Sequence, residues 1–155
     1  MDNGEPLNYT EEIEDYTNAL QNEGARLDKY AWAPNDAWER DNDWVLMRYA
    51  EILMMQAECT FRLGYPDAAL PFINQVRTRS GVAALTSLTE EALDKEWLRE
   101  FVFEGMRRTV NIRFGTFFKA WWQKDADAAD KHTGIFPIPK EERDKNPGLA
   151  QNPGY

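Results

Sequence analysis

Apolar positions recur with a helical period in several stretches of this chain, and most clearly in Leu46–Leu63. Leu46, Tyr49, Ala50, Leu53, Ala57 and Phe61 share one face, while Met47, Met54 and Met55 cover much of the rest. Only Arg48, Glu51, Glu58 and Arg62 leave a polar stripe. A helix apolar nearly all round is packed on several sides, so this segment is expected to be the central helix, with the methionines filling core. Glu58 and Arg62 stand four apart, the favourable order for a helical ion pair of about 0.2–0.5 kcal/mol. Cys59, set in the same helix among apolar neighbours, is expected to be an inert buried thiol.

Gly64 ends that segment and Pro66 suits the first turn of the next, which runs to about Arg79 with Ala69, Leu70, Ile73 and Val76 inward. Ser80-Gly81 closes it. Two antiparallel helices across so short a turn, with small Ala57 and Ala69 allowing close approach, have the layout of a tetratricopeptide helical hairpin. One such unit cannot bury its own flank and must pack on something else. Thr89 followed by Glu90 and Glu91 starts a third helix, reaching about Gly105 with Leu93, Trp97, Leu98 and Phe101 inward. Thr109–Phe114 predicts a short helix ending at Gly115, and Thr116–Lys124 a final one carrying Phe117, Phe118, Trp121 and Trp122.

The flanks differ. Residues 1–29 are polar with weak periodicity, and Thr10 with Glu11 and Glu12 suits a short helix to about Leu20. Residues 30–44 are rich in Asn, Asp and Pro and read as a long loop. Trp32, Trp38 and Trp44 lie in that loop, with Asn35 and Arg40 between them. Aromatic faces beside hydrogen-bonding groups are what saccharide recognition requires; rings that merely pin the loop to the core are the plainer reading and, on the residues alone, the preferred one. From Ile135 onward four prolines, in Phe-Pro-Ile-Pro and later Asn-Pro-Gly-Tyr, predict an extended tail wrapping the helices without forming another. The expected fold is therefore all-α: a tetratricopeptide-type hairpin plus further helices, irregular aromatic-rich loops and a proline-rich C-terminal tail. An acidic, mostly irregular segment 1–44 is expected to pack on a helical domain 45–155.

Charge narrows the function. The chain has 155 residues, enough for one domain with a real core, and a net charge of −9. Residues 1–44 hold twelve Asp and Glu against Arg26, Lys29 and Arg40, leaving fifteen of each sign elsewhere. Without a basic stripe, nucleic acid is a poor partner. No membrane span and no signal peptide are visible. With a single cysteine no internal disulfide forms.

Candidate chemistry is sparse. Glu96, Glu100 and Glu104 recur beside Arg99, Arg107 and Arg108; an ion-paired or solvated face explains this ladder better than an acid–base site. Asp125, Asp127 and Asp130 resemble the start of a calcium loop, but its Gly and closing Glu are missing. His132 is the only histidine, which excludes a two-histidine metal site and gives Cys59 no base placed by sequence. There is no phosphate loop, and Asn8-Tyr-Thr is a formal glycosylation sequon of the kind chance supplies. No catalytic residue, metal or cofactor is assigned.

Three motifs then resemble the SusD/RagB-like nutrient-binding outer-membrane lipoproteins of Bacteroidetes. They are the run Asn42-Asp43-Trp44 through Glu58, then Glu104-Gly-Met-Arg-Arg-Thr109 with Ile112-Arg-Phe-Gly115, then Phe136-Pro-Ile-Pro139 with Asn146-Pro147 and Gln151-Asn-Pro-Gly-Tyr155. Val110, Asn111, Arg143 and Gly148 depart from the family pattern, and a lost Asp contact with an altered helix end is expected near Val110. The resemblance implies the C-terminal portion of a longer surface lipoprotein, or a truncated product, that captures oligosaccharide or another nutrient over a SusC-like TonB-dependent porin and does no covalent chemistry. It carries few ligand residues onto this segment; Trp32, Asn35, Trp38, Arg40 and Trp44 are the positions to examine. A tetratricopeptide-type protein-interaction module working through helices 46–63 and 66–79 is the alternative, and a glycoside hydrolase with two carboxylates across a cleft ranks last.

Overall fold

A computed structural model describes residues 6, 8–27, 29–30, 42–127 and 129–155. Contacts divide the chain into two units, Met1–Asn42 with Lys119–Asp127, and Asp43–Phe118 with Ala128–Tyr155. The second is all-α: α1 (Tyr49–Arg62), α2 (Pro66–Arg79), α3 (Glu90–Glu100), α4 (Arg107–Arg113) and α5 (Lys140–Lys145), with a 3-10 turn at His132–Gly134.

The α1–α2 hairpin forms as its sequence requires. Ala57 and Ala69 are fully buried, with Leu53, Met54, Ile73 and Val76 around them. Gly64 takes φ +90°, its N–H reaches the Phe61 carbonyl at 2.9 Å and the Tyr65 N–H reaches Thr60 at 3.1 Å. These two bonds satisfy carbonyls that the helix end would otherwise orphan. Gly81 and Gly115 close α2 and α4 with the same pair of bonds. Thr89 caps α3, its hydroxyl accepting from the Ala92 N–H at 3.1 Å. Leu88, Leu93, Trp97, Phe101 and Val110 complete the core.

Several expectations are corrected. The central helix begins only at Tyr49, and Leu46, Met47, Tyr49 and Met55 are exposed, Leu46 by 90%. Of the methionine cluster only Met54 is core, so α1 is packed on the α2 side and less fully around than its composition implies. Cys59 is exposed, not buried. The helix α3 stops at Glu100 because the chain turns left-handed at Phe103 and Gly105, and Leu98 points outward. No helix forms at 116–124: left-handed backbone at Gly115 and Gln123 interrupts it, and Trp121 and Lys124 pair across a tight turn. None forms at 10–20 either. There the Asp15 carboxylate accepts from the Thr17 N–H at 2.8 Å and hydroxyl at 2.6 Å, a local alternative to helical bonding. The Thr10 hydroxyl donates to the Glu12 carbonyl instead of capping a helix.

The tail is extended around one short helix that its prolines conceal. Between Pro139 and Asn146 lie six residues free of proline, acidic first (Glu141, Glu142) and basic last (Arg143, Lys145), the order a helix dipole favours. Its two motif halves then bond to each other. Gln151 accepts from the Ile138 N–H at 2.8 Å and donates to its carbonyl at 3.0 Å. The Asn152 amide donates to Phe136 at 2.8 Å, and the Tyr155 hydroxyl to Ile135 at 2.8 Å.

Candidate functional site

Of the five positions singled out in the loop, Trp32, Asn35, Trp38 and Arg40 lie outside the described residues. Trp44 precedes α1 and is 59% exposed, so it faces solvent and is not core filling.

The carboxylates of the helical unit are committed to guanidinium groups. Glu58, buried on α1, accepts from Arg113 of α4 at 2.7 and 2.9 Å and from Arg62 at 2.8 Å. Burial pushes its carboxyl up, but the hydrogen bonds and charges of Arg113 and Arg62 outweigh that and hold it below its ordinary 4.5. Glu96 pairs with Arg77 at 2.5 Å and Arg99 at 3.2 Å. Glu100 meets Arg48 and, at 2.6 Å, Arg79; Glu104 takes three bonds from Arg48 at 2.8, 2.9 and 3.1 Å. The ladder is thus ion-paired, with Arg48, just before α1, and Arg77 and Arg79 of α2 as partners that helical spacing does not reveal. A general acid needs a carboxyl held protonated, the reverse of what two arginines do to Glu58.

The arginines of the second motif tie the unit together. Arg107 forks onto Asp94 of α3 at 2.6 and 3.1 Å, Arg113 onto Glu58 of α1, and Arg108 donates to the carbonyls of Thr133 and Gly134 at 3.0 and 3.2 Å. Val110 and Asn111, where the family pattern differs, are both buried, and the Asn111 carbonyl accepts from Thr116 and Phe117. A cleft of about 470 Å³ opens between Met55, Glu58, Cys59 and Arg62 of α1, Trp97 of α3, and Met106 and Arg113. Glu58, Arg62 and Arg113 are engaged with one another there, whereas the buried Trp97 Nε1–H, also in the lining, has no hydrogen-bond partner among the described residues.

The unit built from the N-terminal segment holds a different cleft, about 480 Å³, lined by Glu11, Glu12, Ile13 and Trp122. Trp122 is 60% exposed and meets Tyr16 edge-on, ring centres 6.3 Å apart. The side-chain amide of Gln123 accepts from the Tyr16 N–H at 3.2 Å and donates to the Glu14 carbonyl at 2.6 Å. Helical spacing set Trp122 in a short helix over 116–124 and missed this; the deciding contacts lie over a hundred positions away. Asp125 and Asp127 belong to this unit, where Lys124 bonds Asp127 at 3.0 Å; in the helical unit Asp130 accepts from His132. Among the described residues no cluster of His, Cys, Asp and Glu is arranged for a metal ion, and no helix is long and apolar enough to cross a membrane.

Comparison with known proteins places the sequence in a family. The chain is 35% identical over 123 aligned positions to the starch-binding protein SusD of Bacteroides thetaiotaomicron, covering 74% of this chain and 22% of that protein. It is 30% identical over 131 positions to the SusD-like protein P25 of Formosa agariphila, covering 72% and 24%. With the SusD-like protein P2 of the same organism it shares 27% over 179 positions, 98% of this chain and 34% of that one. The chain therefore spans about a fifth to a third of the length of these relatives. The sequence profile of the SusD family matches residues 6–155, and the chain belongs to that family.

Proposed function

We propose that this chain is part of a SusD-like glycan-binding protein of the outer membrane, one that holds oligosaccharide at the cell surface and passes it to a SusC-like TonB-dependent porin. The single observation that carries the proposal is the family match over residues 6–155, in a family whose Bacteroides thetaiotaomicron member is by name a starch-binding protein. The geometry agrees with a binder. Its buried carboxylates are consumed in holding helices together, while indole rings at Trp44 and Trp122 stand open to solvent. The segment 1–44, with Trp32, Asn35, Trp38, Arg40 and Trp44, is the main ligand-facing part in this reading, and the helices of 45–155 the scaffold. Stacking of a pyranose C–H face on an indole, with hydroxyls bonded to neighbouring amide and guanidinium groups, needs neither metal nor cofactor.

Titration of the 155-residue chain with a panel of neutral and acidic oligosaccharides, followed by tryptophan emission and calorimetry, tests the proposal. Saturable binding to at least one glycan, weakened when Trp32, Trp38 and Trp44 are replaced by alanine, is expected. No binding across the panel overturns it. Co-purification of a tagged copy with a porin from outer membranes tests the partner separately.

A further inference from the structure

We propose that the Trp122 cleft of the N-terminal unit is a saccharide subsite selective for neutral glycans over uronic-acid or sulfated ones. The inference rests on the glycan-binding reading above and goes beyond it by assigning a site and a charge preference. The platform is an exposed indole beside a cleft, and it is held from two sides. Trp121 and Lys124 exchange backbone bonds at 2.9 and 3.0 Å, closing the turn that carries Trp122. Gln123 fixes that turn to the 14–16 backbone, and Tyr16 abuts the Trp122 ring edge. The opposite rim is fixed too: the Thr10 N–H bonds the Asn22 carbonyl at 2.9 Å, and Gly24 passes so close to Ile13 that an added Cβ would lie 2.8 Å from its Cδ1. A ring that stays exposed while its backbone is clamped is preorganised for stacking, which lowers the ordering cost of binding.

Charge sets the preference. Glu11 and Glu12 line the cleft, and the nearby Lys124 is engaged by Asp127. Carboxylates accept hydrogen bonds from sugar hydroxyls strongly, since the acceptor is ionised. The same groups repel a uronate or sulfate, with no cation among the described residues that line the cleft. A neutral pyranose, with its C–H face on Trp122 and hydroxyls toward Glu11 and Glu12, uses both walls.

Calorimetry with maltohexaose, cellohexaose and laminarihexaose as neutral probes and hexagalacturonate as the acidic one decides the matter. Trp122→Ala should weaken a bound neutral hexasaccharide about ten-fold, the scale of one lost aromatic contact. Hexagalacturonate should bind the unaltered chain at least ten-fold more weakly, and the Glu11→Gln/Glu12→Gln double variant should narrow that gap. Saturating neutral glycan should also slow N-bromosuccinimide oxidation of Trp122, mapped by mass spectrometry on the unaltered chain, a readout that needs no variant to fold. If a neutral glycan binds with equal strength to the Trp122→Ala variant and leaves Trp122 oxidation unchanged, the subsite is overturned while the glycan-binding reading stands. Preference for hexagalacturonate overturns the charge assignment. No binding of any probe overturns the reading and this inference together.

Discussion

Arg113 on α4 grips Glu58 on α1 from 55 positions away, with Nε on Oε1 at 2.7 Å and Nη2 on Oε2 at 2.9 Å. Arg62, the partner that helical spacing assigns to Glu58, adds a single bond at 2.8 Å. The long-range partner is the two-pronged one, and Arg113 also lies over the Trp97 ring at 5.1 Å. One guanidinium thereby joins α1, α3 and α4.

Glu58 makes stability depend on pH in a defined direction. Its folded pKa lies below the unfolded value of about 4.5, so its contribution is complete above that pH and is lost as pH falls through the lower folded value. Urea midpoints should hold level from pH 7 to about 5 with respect to this group, then fall. Glu58→Gln should be less stable at pH 7 by about 1–3 kcal/mol, less than a fully buried pair would give because both arginines are partly exposed. Its acid limb should also be shallower. Parallel curves for the two proteins would show that Glu58 does not titrate with folding.

The hairpin depends on two methyl groups. Ala57 and Ala69 are both fully buried where α1 and α2 meet. Ala57→Leu should force the helices apart and cost about 1–3 kcal/mol, read as a lower urea midpoint. The equivalent change at Ala68, the exposed neighbour of Ala69 in the same turn of α2, should shift it by no more than about 0.5 kcal/mol.

Sequence pattern reveals what local rules govern. The hairpin, the glycine stops at Gly64, Gly81 and Gly115, and the Thr89 cap all follow from residue type and spacing. The failures share a physical cause. At Asp15 and Thr17 a side chain competes with helical bonding, and at Phe103 and Gln123 the backbone adopts a left-handed turn that residue type disfavours. Leu46, Met47 and Met55 read as core because periodicity reports which residues share a face, not whether anything covers it. For the site, sequence points to Trp44, which is exposed, whereas Trp122 reads only as one residue of a short helix that does not form. Its setting is made by Tyr16 and Glu14, contacts that only the folded chain brings together.

Gln151 is the buckle of the tail. Its amide meets both the N–H and the carbonyl of Ile138, and its oxygen also accepts from the Asn152 N–H at 2.8 Å. Gln151→Glu keeps the acceptor but removes the donor and sets a carboxylate against the Ile138 carbonyl. The expected local loss is about 1–3 kcal/mol. Amide exchange at Ile138 and Asn152, with faster proteolysis within 135–155, is the measurement; unchanged exchange would show that the tail holds by its prolines alone.

Arg48 and Arg79 offer a controlled comparison, because both bond the same carboxylate. Arg48 is only 20% exposed, lies over the Phe101 ring at 4.5 Å, and reaches Glu104, Glu100 and the Glu100 carbonyl, the last at 2.7 Å. Arg79 approaches Glu100 with Nη2 at 2.6 and 2.7 Å but is 57% exposed. Lysine in either place preserves charge and discards the planar fork. If charge alone mattered, the two replacements would cost the same. Burial and geometry predict otherwise: Arg48→Lys should lower stability by about 1–3 kcal/mol, since Glu104 loses a two-pronged partner while remaining buried. Arg79→Lys should cost about 0–1 kcal/mol, the range of an exposed pair. Urea denaturation of both variants at low and high salt separates the accounts, because the Arg79 contribution should fade with salt and that of Arg48 should persist.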